Sequence, residues 1–258
     1  MGIGTVLLDL DGVLVMSWRP LPGAREALGW LRTEGVPFRL VTNATMRSRA
    51  WIARALVDAG LPVEEDHIVT ATIATAEHLR RHHAGARCFL LAADDALEDL
   101  HDIRWVEDGA EVVVVGGPGP WFTYDRLNRA YRMLAGGALL IAMQRNLSWR
   151  TDEGLMLDAG AFVTGLEAAA GVEAVTIGKP NPAFFEASLA TTGARPAEAL
   201  MVGDDLEADV LGAQEAGLVG ALVRTGKFRP EVLDGRERGP DHVIDSVGDL
   251  PALLERLR

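Results

Sequence analysis

A chain of 258 residues can bury one large core or two modest ones, and its apolar and charged fractions are those of an ordinary soluble globule. Its net charge of −12 argues against a broad surface for nucleic-acid phosphates. The single cysteine, Cys88, excludes an internal disulfide and a thiolate-built zinc site, so a reducing, cytoplasmic setting is the expectation.

The first apolar run, Val6-Leu7-Leu8, is broken by Asp9 too early for a signal peptide or a membrane span. It predicts a buried strand that delivers acid at its carboxyl end, where open α/β sheets bind ligands. On an extended backbone Asp9 and Asp11 face the same side, and Gly12 permits a sharp turn that leaves both carboxyl groups exposed to a ligand. Two acids so close invite a cation, although Asp and Gly are also ordinary turn residues. An amphipathic segment then runs from Pro22-Gly23 through Leu31 and ends at Gly35. A second strand, 36–41, terminates in Thr42-Asn43. Their hydroxyl and amide suit the oxygens of a phosphoryl group, and they suit equally the cap of a helix over 48–59. Glu64-Glu65-Asp66 reads as a charged helix start, and the helix carrying His78, His82 and His83 as one with a solvated face.

From about Ile73 to Val175 the pattern resets. Strands at 88–91, 112–115 and 139–143, with a helix at 124–134, predict a second, smaller α/β unit. Arg145, Asn146, Trp149 and Arg150 make a basic, aromatic loop suited to touching substrate, and Asp158 suits the cap of a helix over 161–170. A short strand at 175–178 presents Lys179-Pro180. In isolation that is a surface turn; at a strand edge it is a fixed ammonium that neutralises phosphate and a carboxylate nucleophile. A further strand, 199–202, ends in Gly203-Asp204-Asp205, with Asp209 five residues beyond Asp204. Such acids either complete an oxygen shell for Mg²⁺ or begin a helix, as Asp205 and Glu207 do equally well. The strand at 220–223 gives way to a loop, 225–230, without regular pattern, and a helix over 247–257 closes the chain.

Taken together, Asp-x-Asp, Thr-Asn, Lys-Pro and Gly-Asp-Asp stand in order at four strand ends, and this series resembles the haloacid dehalogenase superfamily of phosphotransferases over nearly the whole chain. The long insertion resembles the large α/β cap of its nitrophenylphosphatase-like branch. Two segments, Gly154 to Asp158 and Thr225 to Pro230, are similar to phospholysine phosphohistidine inorganic pyrophosphate phosphatases. The resemblance implies an α/β fold: a Rossmann-like parallel sheet core (1–72 and 175–258) with an inserted smaller α/β cap domain (73–174). It implies Asp9 as nucleophile and Asp11 as general acid and base, with Thr42, Asn43 and Lys179 on the phosphoryl oxygens. Mg²⁺ would be held by Asp9, Asp204 and the backbone carbonyl of Asp11, with Asp209 orienting Asp204 or a metal-bound water. The expected partner is a small phosphorylated substrate, not nucleic acid or membrane, and family analogy adds a homodimer through the cap. Rival expectations are transfer to an acceptor other than water, hydrolysis of pyrophosphate or a phosphoamidate, and a catalytically silent binding protein.

Overall fold

The computed structural model describes residues 2–92, 94–151, 154–235 and 237–257. In chain order it contains β1 (Thr5–Asp9), a hairpin of β2 (Val15–Met16) and β3 (Arg19–Pro20), α1 (Ala24–Thr33), β4 (Phe38–Thr42), α2 (Arg49–Asp58) and β5 (Ile68–Thr70). There follow α3 (Ala71–His82), β6 (Cys88–Leu91), β7 (Val112–Val115), α4 (Tyr124–Ala135), β8 (Leu139–Ala142), β9 (Ser148–Thr151), β10 (Gly154–Leu157), α5 (Ala159–Ala170) and β11 (Val175–Thr176). The remainder is α6 (Pro182–Ala190), β12 (Ala199–Gly203), α7 (Gly212–Glu215) with a π-helical turn at Leu206–Leu211 before it, β13 (Val219–Val223), β14 (His242–Ile244) and α8 (Leu250–Leu257).

Two compact units result. The first comprises 2–42, Arg49–Val69 and 179–257, and its six-stranded sheet has the order β14-β13-β12-β1-β4-β5. β1 pairs in parallel with both β12 and β4, so the strand order reverses beside it, and a ligand crevice is expected at that reversal. All five residues of β1 are buried, which explains why the strand reads as a continuous apolar run rather than as an alternation. α1 buries Ala24, Ala27, Leu28 and Leu31, a helical spacing that places them on one face, and it packs against α8.

The second unit comprises 43–48 and 70–178, with a parallel sheet of order β11-β8-β7-β6. Its core joins Phe89, Val113, Val115 and Leu140 of the sheet to Ala130 and Leu134 of α4 and Val163 and Leu166 of α5. Thr123 caps α4 and Asp158 caps α5, accepting the Ala159 N–H at 2.7 Å.

Several expectations require correction. The strand before Lys179 was assigned to the core sheet, but β11 pairs with β8 of the inserted unit, because a two-residue apolar run carries no mark of the sheet it will join. The division therefore falls after Val69 and after Gly178, rather than at 72 and 175, and 43–48 groups with the second unit. β5 and the β2–β3 hairpin were not foreseen, and the basic loop after β8 contains an antiparallel hairpin, β9–β10. Among the described residues, no helix is long and apolar enough to cross a membrane.

Candidate active site

The site is built on the carboxyl ends of the first unit's strands. Asp9 is the last residue of β1, and the sheet register sets it level with Val41, so Thr42 follows one residue further along the neighbouring strand. On the other side Leu8 is level with Val202, and Asp204 comes just after Gly203 ends β12. Three strand ends therefore converge. Gly12 turns the chain at φ 85°, in the left-handed region, and a Cβ there would overlap Asp204 Oδ2. Its N–H donates to the Val15 carbonyl at 2.7 Å, which fastens the β2–β3 hairpin to the turn that carries Asp11.

Lys179, 7% exposed, ties the strand ends together: its Nζ donates to Asp9 Oδ1 at 2.6 Å and lies 2.7 Å from Asp209 Oδ1. The second Asp209 oxygen accepts the Asp205 N–H at 3.1 Å. Asp205 in turn opens the π-helical turn, accepting the N–H groups of Glu207 and Ala208 at 3.2 and 3.1 Å, so it serves as a helix cap. Gly203 has no room for a side chain, because a Cβ would overlap Asp209. Oxygens of Asp9, Asp204 and Asp209, all buried, lie within 4.8 Å of one another.

Three buried carboxylates around one ammonium leave an excess of negative charge, and the proton equilibria register it. Burial pushes Asp9 up to about 8; Lys179 opposes the shift, and Asp209 and Asp204 add to it. Burial likewise pushes Asp204 up to about 6, against the Lys227 N–H that favours its ionised form. Burial alone would lower Lys179, but Asp209 and Asp9 reverse this and hold it above the ordinary lysine range, so the ammonium stays charged. Asp11 is exposed by surface area, yet partial desolvation raises it too, opposed by Lys179 and Lys227. A hard divalent cation fits this set: buried, closely spaced oxygen donors with an unbalanced negative charge. Asp9 and Asp204 would hold it. Both Asp209 oxygens are engaged by Lys179 and the Asp205 peptide, which suits Asp209 to orienting its neighbours.

Asn43, Arg145, Asn146 and Trp149 belong to the second unit. There Asn43 lies so that a Cβ at Gly178 would come within 2.7 Å of its Oδ1. It is not the cap of the following helix, which begins six residues later at Arg49. The guanidinium of Arg145 is taken by both carboxylate oxygens of Glu167, each at 2.8 Å. Asn146 is exposed, with its carbonyl accepting the Gly160 N–H at 2.9 Å. Trp149 lies in β9, and its side chain falls outside the described residues. Sequence reasoning singled out the loop after β13 for its resemblance but gave it no part in the site. The Lys227 N–H donates to Asp204 Oδ2 at 2.7 Å, and Thr225 Oγ1 donates to the Gly12 carbonyl. The usable signal was its position, a Thr-Gly-Lys at the carboxyl end of a parallel strand.

Comparison with known proteins gives consistent results. A profile described as haloacid dehalogenase-like hydrolase matches residues 6–105, and one described as HAD-hydrolase-like matches 176–250. Human haloacid dehalogenase-like hydrolase domain-containing protein 2 is 41% identical over 87% of this chain and 85% of its own. Rat phospholysine phosphohistidine inorganic pyrophosphate phosphatase is 33% identical over 98% of this chain and 94% of its own. Among solved structures, the 4-nitrophenylphosphatase of Thermotoga maritima superposes with a TM-score of 0.90 at 31% identity, covering 97% of each chain. NagD of E. coli K-12 gives 0.90 at 28%, covering 96% of this chain and 98% of its own.

Proposed function

The chain belongs to the haloacid dehalogenase-like hydrolases and is a phosphohydrolase of that family, and we propose that it hydrolyses a small phosphorylated metabolite with Mg²⁺ through an aspartyl-phosphate on Asp9. The observation that carries this reading is the Asp9–Lys179–Asp209 array beside Asp204, buried at the ends of β1 and β12. An Asp9 oxygen attacks phosphorus as the bond to the leaving group breaks, which replaces one difficult hydrolysis by two easier displacements. Asp11 gives its proton to the leaving oxygen and then takes one from the water that opens the aspartyl-phosphate. Its raised proton affinity suits the first role, and its exposure gives it access to the second. Thr42 and Lys179 hold the phosphoryl oxygens. Mg²⁺ would be held by Asp9, Asp204 and the Asp11 carbonyl, and would supply positive charge against the phosphate dianion and the transition state.

Excess chelator is expected to lower phosphate release at least about a thousandfold, and added Mg²⁺ to restore it. Undiminished turnover in chelator would remove the cation from the mechanism. The same assay over sugar phosphates, nucleotides, pyrophosphate, phospholysine and phosphohistidine identifies the substrate class. Hydrolysis of the P–N compounds is the second reading, favoured by the 33% identity to the rat enzyme. A separate expectation concerns Asp11. Asp11→Asn should lower kcat on alkyl phosphates about 10²–10⁴-fold, and on nitrophenyl phosphate far less, since that leaving group departs without a proton. Equal losses on both substrates would assign Asp11 another role.

A further inference from the structure

We propose that Thr225, Gly226 and the peptide N–H of Lys227 form a latch that fixes the Asp11–Gly12 turn and the Asp204 carboxylate in the relative position that receives Mg²⁺. The proposal rests on the reading of Asp204 and the Asp11 carbonyl as cation ligands and adds a positioning element to it. The loop leaves β13, which is separated from β1 by β12, so it reaches past one strand end to touch the next.

Three contacts make the latch. Thr225 Oγ1 donates to the carbonyl of Gly12, the residue directly after Asp11, across 213 positions of sequence. The Lys227 N–H donates to Asp204 Oδ2 at 2.7 Å. Between them Gly226, at φ 59°, lies so close that a Cβ would overlap the same Asp204 oxygen and come within 2.7 Å of the Gly12 Cα. A Cβ on Gly12 would overlap that oxygen as well. Asp204 Oδ2 is therefore held between two bare Cα atoms and a peptide donor, which fixes the plane of the carboxylate and leaves its other oxygen for a cation. The turn that presents the Asp11 carbonyl is clamped by the same loop. Metal sites depend on such outer contacts, whose removal costs about 10–100-fold in affinity.

The Lys227 ammonium has a lesser part. It pairs with Asp205 at 3.1 Å, but the lysine side chain is 70% exposed, and exposed pairs contribute little. The two functions of this residue are therefore separable by mutation.

The test measures Mg²⁺ affinity directly, by calorimetry and by the Mg²⁺-dependent rise in Tm, on the untagged full chain, alongside kcat and the Mg²⁺ concentration for half-maximal rate. Thr225→Val is expected to weaken Mg²⁺ binding about tenfold, with kcat at saturating Mg²⁺ and Tm without Mg²⁺ much less affected. Thr225→Ser should restore the affinity. Gly226→Ala, which places a methyl group on Asp204 Oδ2 and so displaces the carboxylate, should weaken binding about a hundredfold. Lys227→Met keeps the N–H and should lose less than Thr225→Val. Wild-type affinity in both Thr225→Val and Gly226→Ala would overturn the latch, and so would a Lys227→Met loss exceeding theirs. Failure of the wild-type chain itself to bind Mg²⁺ would instead overturn the cation reading on which the latch is built.

Discussion

Replacing Asp9 by Asn is expected to abolish phosphate release, by about 10⁴-fold or more, while leaving a folded chain whose Tm without Mg²⁺ equals or exceeds that of the wild type. The kinetic half of this expectation follows from chemistry: an amide has no anionic oxygen to attack phosphorus. The stability half follows from the site. Asp9 is one of three buried carboxylates around a single lysine, and burial with its acidic neighbours already pushes its pKa up to about 8. Near neutral pH Asp9 is then mostly protonated, so an amide of the same shape changes little; above about pH 8 it spares the site a buried charge, and Lys179 retains its contact with Asp209 at 2.7 Å. Assay by phosphate release, with acid quenching to trap labelled protein, checks the first half; calorimetry checks the second. Residual turnover above about a hundredth of wild type that co-purifies with the chain would exclude Asp9 as nucleophile.

Lys179→Met should produce the largest loss of stability. It removes the counter-charge from Asp9 and Asp209 at once, and stranding buried charge in this way costs about 3–5 kcal/mol, or roughly 6–20 °C in Tm for a chain of this size. The deficit has a defined pH dependence. Asp9 takes up its proton at higher pH in the folded chain than in the unfolded one. Folding is therefore favoured below the unfolded value near 4, and that advantage is lost as pH rises through about 8. Without Lys179 the opposing influence on Asp9 disappears and the loss continues to higher pH. Metal-free Lys179→Met and wild type should accordingly differ least near pH 5 and most above pH 8. A deficit that shrinks with rising pH would show that the lysine does not bear on these acids. On the proposed role of Lys179 in holding the phosphoryl oxygens, activity should fall about 10²–10³-fold.

The sequence exposed the parts of the site that lie on strand ends. Val6 to Leu8 running into Asp9, and Leu200 to Val202 running into Asp204, are buried parallel strands, where hydrophobicity is continuous and a sudden acid is conspicuous. It was silent where position depends on partners. Nothing in Val175-Thr176 distinguishes pairing with β8 from pairing in the larger sheet, and β5 is three residues long and merges into α3. Nothing beside Arg145 announces its partner Glu167, which stands 22 residues away on α5. Thr225 to Lys227 escaped for a similar reason: its contacts with Gly12 and Asp204 run through backbone atoms, which residue types do not advertise.

The Asp9–Lys179 ion pair has a consequence for biogenesis. Its members are 170 residues apart, with the whole inserted unit between them. A chain emerging from the ribosome can pair β1 with β4 early, but Asp9 has no ammonium until the insertion has been translated, and Asp204 and Asp209 arrive later still. Until residue 179 has been made, Asp9 stands on a half-built sheet, its β12 edge open. The Asp9–Lys179–Asp209 array can be completed only after β12, the strand beside β1, and the turn that follows it have been made.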